Sequence, residues 1–202
     1  MNYKTTCKVI EECLEWGNFI PSNATKLIIG TFPTVPNKRS FEFFYPNKSN
    51  LFWNVLAAVA KISPLPPEYE NAIRNRKNIL EKLNVGITDM GCKVLRHDGS
   101  SLDQGIFPIK FMDIFQILDN NPTIEKLILT SSSGKNSAEG WFRSYCELNS
   151  VTFKKLKGTN PKRGILEHKG KMIQVVSVHS TSKSAAKKLD GLIKMYKAEL
   201  LQ

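Results

Sequence analysis

The sequence predicts an α/β protein of three layers, in which helices cover both faces of a central, mainly parallel, four-stranded sheet. Two observations predict this class. First, four short apolar segments with strand character lie well apart along the chain, at Lys26–Thr31, Val85–Met90, Lys126–Thr130 and Met172–Val178. Second, segments with helical spacing lie between and after them, as expected of parallel strands joined by helices. The 202 residues show no composition break, so we expect one domain, 1–202.

The chain is expected to begin with a covering helix, so that residues 1–25 form this helix and a linker. Its apolar positions are Val9, Ile10, Cys13, Leu14 and Trp16. Ser49 or Asn50 can cap a second helix, which ends before a cluster of prolines. The pattern predicts this helix and four later ones over Leu51–Ile62, 68–83, Phe111–Leu118, Trp141–Leu148 and Ala185–Leu201. The segment that follows the second strand, GCKVLRHDGSSLDQGI, is predicted to be loop.

Composition limits the function classes. The chain carries 29 Lys plus Arg against 18 Asp plus Glu, a net charge of +11, which favours a polyanionic partner or simply a basic surface. No apolar run approaches the roughly twenty residues of a membrane span, and the start lacks the core of a signal peptide. We therefore expect a cytoplasmic monomer without membrane contact. The four cysteines and three histidines lack ligand spacing, so no metal site is expected.

The most informative stretch is Leu27–Trp53, in which a buried strand runs into a long loop rich in aromatic, basic and amide side chains. A loop of this length is either functional or disordered, and its aromatic content argues against disorder. In parallel sheets, ligands bind outside the carboxyl ends of the strands. Those ends carry polar residues in all four cases, so one crevice is expected to gather Gly30–Thr34, Asp89 with Met90, Thr130–Gly134 and His179–Ser182.

Two familiar catalytic patterns are excluded by spacing. A phosphate-binding P-loop fails because Leu129 and Asn136 stand where a glycine and a hydroxyl residue are needed, although this helix start could still touch a phosphate. No GxSxG nucleophile elbow occurs. The basic run Lys154–Lys171, with a turn at Asn160-Pro161, is consistent either with contact to a phosphate backbone or with a solvated hairpin.

The remaining parts suit an enzyme that extrudes a base, which must receive the base between aromatic faces and read its polar edge. The candidates are Phe43, Phe44, Tyr45, Asn50 and Asp89. Each also has a structural interpretation. The aromatic rings could lie in the core, which is favoured for Phe52 and Trp53, and Asn50 could only cap a helix. Asp89 could be held by backbone amides, His179 could be a satisfied loop residue, and Ser180–Ser182 could cap the last helix.

Three ordered motifs resemble a known family. Gly30-Thr31-Phe32-Pro33, Phe44-Tyr45 and Asn50-Leu51-Phe52-Trp53 resemble the GTLPG…YYAHPxNxFW signature of hypoxanthine-DNA glycosylases, a branch of the uracil-DNA glycosylase superfamily related to the mismatch-specific enzymes. Gly86–Met90 followed by Gly99–Ile106 is similar to GxxxWDV…GSLDSAI, and Ser180-Thr181-Ser182 to the PSTSP loop. The chain departs from these motifs at Thr34, Asn47, Lys48, Thr88 and His179.

The resemblance implies a uracil-DNA glycosylase-like fold and specific roles. Gly30, Thr31, Phe32 and Pro33 would lie beside the sugar, and Tyr45 or Phe44 would stack on the base. Asn50 would hold the attacking water, and Asp89 would read the base edge. The DNA backbone would be contacted by His179, Ser180, Thr181, Ser182 and Lys183. The reaction would be hydrolysis of the N-glycosidic bond of uracil, hypoxanthine or a similar base in base excision repair, without a metal or redox cofactor.

Three functions remain open at this point. The first is a monofunctional DNA glycosylase acting on DNA that contains a modified base. The second is a catalytically weak or inactive nucleic-acid-binding protein on the same fold, which the charge and the motif departures also fit. The third is an unrelated small-molecule enzyme that uses the crevice at the strand ends.

Overall fold

A computed structural model describes residues 8–64, 66–97, 100, 103–132, 134–182 and 188–202. Among these residues, the structure contains eight strands and five α-helices. The strands are β1 (Val9–Cys13), β2 (Lys26–Gly30), β3 (Val85–Asp89), β4 (Gly91–His97), β5 (Ile106–Phe111), β6 (Lys126–Leu129), β7 (Lys162–His168) and β8 (Lys171–Ser177). The helices are α1 (Phe52–Ala60), α2 (Ala72–Leu83), α3 (Ile114–Asn120), α4 (Ala138–Leu148) and α5 (Leu189–Leu200).

The central sheet has the order β3-β2-β6-β8-β7, and the first four strands are parallel. These are the four strands that the sequence predicts, so the mainly parallel sheet is confirmed. A fifth strand, β7, is added at one edge and runs antiparallel to β8. The tight turn between them uses Lys169 and Gly170, both with positive φ (49° and 79°), as two-residue hairpin turns require.

Helices cover both faces of this sheet because the central strands are apolar on both sides. In β2, Ile28 faces a core formed with α1, α2 and α5, whereas Leu27 and Ile29 face a second core formed with α3 and α4. This alternation follows from the period of two residues in a strand. The three-layer architecture predicted from the sequence is confirmed.

The predicted amino-terminal helix is wrong in the part of it that the structure describes. Residues Val9–Cys13 form strand β1, which pairs antiparallel with β4, and β4 pairs with β5 to make a separate three-stranded sheet. Strand β4 also replaces the first part of the predicted loop after β3, and β5 begins at the last residue of that loop, Ile106. The physical reason is tertiary: Glu12 points inward to the buried Arg96 of β4, and only a strand brings every second residue of β1 to that face.

The other helix predictions are confirmed, with shifted ends. Helix α1 lies inside the predicted range and ends at Lys61, which adopts the left-handed conformation. Helix α2 begins later than predicted, at Ala72. Helix α3 begins at Ile114 and not at Phe111, which ends β5, and it extends two residues further than predicted, to Asn120. Helix α5 begins at Leu189; most of the earlier start predicted for it lies outside the described residues. None of the helices in the described part of the chain is long and apolar enough to cross a membrane.

Candidate functional site

The carboxyl ends of the parallel strands are joined by hydrogen bonds between the segments that follow them. The hydroxyl of Tyr45, in the long loop after β2, donates to Thr130 Oγ1 after β6 at 2.7 Å. Thr130 in turn donates to the carbonyl oxygen of Ile29 in β2 at 3.2 Å. At β3, Met90 N donates to the carbonyl oxygen of Gly30 at 2.9 Å. The predicted convergence of the strand ends is therefore present at β2, β3 and β6.

Asp89 ends β3 and lies beside Gly30, its partner in the register of the parallel pair. The Asp89 side chain is buried, with 4% of the residue exposed. A Cβ atom built on Gly30 would lie 2.0 Å from Asp89 Oδ1 and 3.0 Å from Tyr45 Oη. The carboxylate and the phenol therefore lie on the same side of Gly30, in space that a side chain at position 30 would occupy.

Tyr45 is fixed at both ends of its side chain. Its backbone has φ 51°, which turns the chain between Phe44 and Pro46. Its ring stacks on Phe52 with a centroid separation of 3.7 Å and an interplanar angle of 14°. The Tyr45 ring is also only partly buried, so a planar ligand in the crevice could reach it.

Phe44 does not fit the stacking role that the resemblance also allowed for it. Its ring is fully buried, 5.1 Å from the Phe43 ring and 6.2 Å from the Trp16 ring, and its carbonyl oxygen accepts the Trp53 indole N–H at 2.9 Å. Phe52 and Trp53 are buried as well, which confirms their assignment to the core. Of the paired rings at 44 and 45, only Tyr45 is partly exposed.

Three charged side chains hold the first part of the loop after β2. Two of them belong to the second sheet and one, Arg39, to the loop itself. Arg96, which is fully buried, donates to the carbonyl oxygen of Pro33 at 2.8 Å and makes two bonds to the Glu12 carboxylate. Arg39 donates to the carbonyl oxygen of Thr34 at 2.8 Å and also pairs with Glu12. We call Glu12, Arg39 and Arg96 the Glu12 cluster. It fixes the path of the backbone at Pro33 and Thr34.

The side chains of Thr31 and Phe32, which follow β2, are both buried. Phe32 is 8% exposed and belongs to the core on the α4 side of the sheet, with the Arg96 guanidinium 5.8 Å from its ring centroid. Thr31 is 7% exposed, and its hydroxyl lies 3.5 Å from that of Ser131. The expected place of Gly30–Pro33 beside the sugar stays a prediction, in which the backbone of this segment, more than these two buried side chains, would face the ligand.

Asn50 lies at the start of α1. Its Oδ1 accepts the Phe52 N–H at 3.0 Å, as in an Asx turn, whereas the N-cap of α1 is Leu51, so the N-cap predicted at Ser49 or Asn50 is placed too early. The same oxygen also accepts the Thr181 hydroxyl at 2.7 Å. An amide oxygen has two lone pairs, so both are occupied. No described residue accepts from Asn50 Nδ2, which is the group that this side chain can offer to a water molecule.

The loop after β8 contributes residues in different ways. Ser180 Oγ accepts the backbone N–H of Ser182 at 3.1 Å, which shapes the turn. Thr181 is 1% exposed and directs its hydroxyl to Asn50, so its predicted contact with the DNA backbone is wrong as far as the side chain is concerned. Lys183, assigned to the same contact, lies outside the described residues.

Residues that the sequence marked only as a turn and as part of the basic run also lie at this edge. The Asn160 amide nitrogen lies 3.1 Å from His179 Nδ1, and Asn160 Oδ1 accepts from the Ser132 hydroxyl at 3.4 Å. Lys162 Nζ donates to the carbonyl oxygen of Ser132 at 3.4 Å and pairs with Glu139 at 3.2 Å. The Asn160-Pro161 turn signal marked this position, but only the pairing of β7 with β8 places it beside the end of β6.

The start of α4 is unsuited to phosphate. The Ser131 hydroxyl accepts the Ala138 N–H at 2.9 Å, and its carbonyl oxygen accepts the Glu139 N–H at 3.0 Å. The Ser137 side chain accepts the Gly140 N–H at 3.1 Å. The donors that an anion would need are therefore already used by serine side chains and backbone. Among the described residues, no three His, Cys, Asp or Glu side chains cluster in a way that could hold a metal ion.

The basic run divides into two parts. Lys169 pairs with Asp119 at 2.7 Å, and Lys171 donates to the carbonyl oxygens of Pro122 and Ile124. These residues lie at the amino end of β8, away from the crevice, so the hairpin interpretation is correct for them. The part that precedes β7 is different, because its lysines are exposed and form no ion pair within the described residues: Lys154, Lys155 and Lys157.

Comparison with known proteins was made on this basis. No protein-family model matches the chain, and no curated protein matches it. Solved structures do match. One is the solution NMR structure of a protein from Methanosarcina acetivorans, provisionally described as a uracil DNA glycosylase, with a TM-score of 0.60 and 14% identity over 92% of this chain and 96% of that chain. This chain has a uracil-DNA glycosylase-like fold. This likeness agrees with the expected three-layer architecture and concerns the fold alone.

Proposed function

We propose that the protein is a DNA glycosylase that hydrolyses the N-glycosidic bond of a deaminated base, uracil, hypoxanthine or a similar one, after the base has left the helix. A continuous series of contacts carries this proposal. Asp89 lies against Gly30, Gly30 lies beside the Tyr45 hydroxyl, Tyr45 stacks on Phe52, and the Phe52 N–H binds Asn50. An acceptor, an aromatic ring and an amide donor are thereby linked at the carboxyl ends of the strands, where the substrate would bind.

Each group has a chemical task in this reaction. The face of Tyr45 opposite Phe52 stacks on the extruded base, and base–aromatic stacking contributes roughly 1–3 kcal/mol. The Asp89 carboxylate accepts a hydrogen bond from a ring N–H, which uracil and hypoxanthine both carry next to a carbonyl group. Asn50 Nδ2 donates to the oxygen of a water molecule and so points its other lone pair at the sugar C1′.

Hydrolysis of the glycosidic bond needs only the DNA and one water molecule as reactants. The C1′–N bond breaks first, its electron pair goes to the base, and the sugar becomes an oxocarbenium-like cation that the DNA phosphates stabilise. Water then adds to C1′ and gives up one proton, while the departing base takes up one proton. The products are the free base and an abasic site.

The charge distribution supports DNA as the substrate. Exposed Lys154, Lys155 and Lys157 precede Asn160, which contacts His179 at the crevice edge. The polar groups of Ser180 and Ser182 lie in the loop that follows β8. A phosphate backbone crossing this edge would meet both segments, and the net charge of +11 attracts it from a distance.

A second function, binding of nucleic acid without catalysis, is favoured by one observation. Both lone pairs of Asn50 Oδ1 already accept hydrogen bonds, from Phe52 and Thr181, so this oxygen cannot accept a further hydrogen bond from the attacking water. The water would then be oriented by Nδ2 alone. A protein in which this is insufficient would bind DNA and release no base.

Oligonucleotides that carry a single uracil, hypoxanthine or xanthine separate the two functions. After incubation with protein and alkaline cleavage, a glycosylase produces strand breaks at the modified position. The absence of breaks with every lesion at stoichiometric protein would overturn the proposed activity. Salt-dependent binding in the same samples, without an abasic product, would then establish the second function.

A further inference from the structure

Thr181 differs from its neighbours in the loop Ser180–Ser182 because it points into the protein. Its residue surface is 1% exposed, and its hydroxyl donates to Asn50 Oδ1 at 2.7 Å. Its carbonyl oxygen accepts the Leu51 N–H at 3.0 Å. Two hydrogen bonds therefore tie the middle of this loop to the residues that start α1, 131 positions away in the chain.

The side-chain bond affects which way the Asn50 amide faces. Phe52 N–H is a donor only and requires Oδ1 on its side, so a flipped amide would bring two donors together. The Thr181 hydroxyl occupies the second lone pair of the same oxygen. The two donors hold the amide plane, and Nδ2 is directed away from both of them. The Phe52 bond alone would leave the amide free to swing about it.

We propose that Thr181 is a positioning residue for Asn50, through which the position of the loop Ser180–Ser182 sets the direction of Asn50 Nδ2. This inference rests on the proposed function, in which that nitrogen orients the attacking water. Contacts of the flanking serines with a DNA backbone would hold the loop, and Thr181 would pass that constraint to the amide. The rate of base release then depends on contact between the loop Ser180–Ser182 and the DNA backbone. Thr181 carries this dependence without contacting DNA itself.

The test compares three variants in single-turnover base release and in DNA affinity. Thr181→Val has nearly the same shape, keeps the backbone bond to Leu51 and removes only the hydroxyl. We expect it to slow release about fivefold, the effect of losing about 1 kcal/mol of a hydrogen bond, at unchanged affinity. Thr181→Ser restores the hydroxyl and the rate. Thr123→Val is the matched control, because its hydroxyl binds the carbonyl oxygen of Ala24 away from the crevice.

A Thr181→Val protein that releases base as fast as the parent overturns the inference. A second readout keeps the test independent of activity: the side-chain amide resonances of Asn50 in a ¹⁵N-labelled sample, identified by their loss in Asn50→Ser. These should shift in Thr181→Val and return in Thr181→Ser, and unshifted resonances in Thr181→Val overturn the positioning. A parent that releases no base overturns the proposed function instead, and the amide resonances then decide the structural claim alone.

Discussion

The carboxylate of Asp89 lies directly against the Cα of Gly30, where a Cβ atom would come within 2.0 Å of Oδ1. The two residues are partners in the parallel pair β2 and β3, so their side-chain directions coincide. The Tyr45 hydroxyl approaches the same point, at 3.0 Å from that Cβ position. The lack of a side chain at position 30 is therefore what allows an acceptor and an aromatic ring to share the crevice.

Gly30→Ala should abolish or strongly reduce base release, because the new methyl group displaces the Asp89 carboxylate. We expect a loss of stability of about 1–3 kcal/mol, as for other overpacked sites. Gly164→Ala is a matched control, because Gly164 lies in β7, away from Asp89. A Cβ atom there would also be overpacked, at 2.6 Å from Leu156 Cδ2. Urea unfolding and an activity assay on both variants check this. If Gly30→Ala and Gly164→Ala released base at the same rate, base release would not depend on the position of the Asp89 carboxylate.

Asn50 has two tasks that substitution can separate. Asn50→Ala removes both the acceptor for the Phe52 N–H and the amide donor, so it should lose base release and about 1 kcal/mol of stability. Asn50→Ser keeps an oxygen at the helix start but places no group where Nδ2 lies. We therefore expect near-parental stability with base release still lost, and DNA binding retained in both. Parental activity in Asn50→Ser would refute the role of Nδ2.

The sequence predicted the parallel sheet and the convergence at its edge because four apolar segments and the polar residues after them are local signals. The prediction was wrong where contacts between residues that are distant in the chain determine the local structure. Val9 and Ile10 fit a helical pattern, yet β1 is a strand, since Glu12 must face Arg96 across the β1–β4 pair. In the same way, Phe44 and Tyr45 look equivalent in the sequence. The left-handed backbone conformation of Tyr45 gives the two side chains different directions, and no residue pattern predicts this conformation.

Tyr45 is expected to act through its ring and not through its hydroxyl. Tyr45→Phe removes the hydrogen bond to Thr130 but keeps the stack on Phe52, so base release should stay within a few-fold of the parent, with about 1 kcal/mol less stability. Tyr45→Leu removes the stacking face and should weaken productive binding roughly 10-fold to 100-fold, the value of about 1–3 kcal/mol of stacking. Saturation kinetics on one lesion measure both. Inactivity of Tyr45→Phe would assign the function to the hydroxyl instead.

Arg96 is expected to be the most sensitive charged residue of the Glu12 cluster. Arg96→Met leaves the Pro33 carbonyl oxygen without its donor and Glu12, which is 11% exposed, with Arg39 alone. Breaking a buried ion pair from one side costs about 3–5 kcal/mol. The double variant Glu12→Gln with Arg96→Met should lose less than the sum of the single losses, because the Glu12–Arg96 contact is lost in both single variants and is counted twice in their sum. Denaturant unfolding of all three proteins tests this, and additive losses would contradict the coupling.

Cys146 gives a prediction about pH. Burial in α4 raises the pKa of its thiol to about 12, above the roughly 8.5 of an unfolded chain, so the folded state favours the protonated form. The contribution of this group to stability is complete below that unfolded value and is lost as the pH rises toward 12. At pH values near 8.5, Cys146 should therefore resist alkylation in the native protein and react after addition of guanidinium, whereas exposed Cys13 should react in both states. Peptide mass spectrometry after iodoacetamide treatment distinguishes the two sites, and rapid native labelling of Cys146 would mean that α4 opens locally.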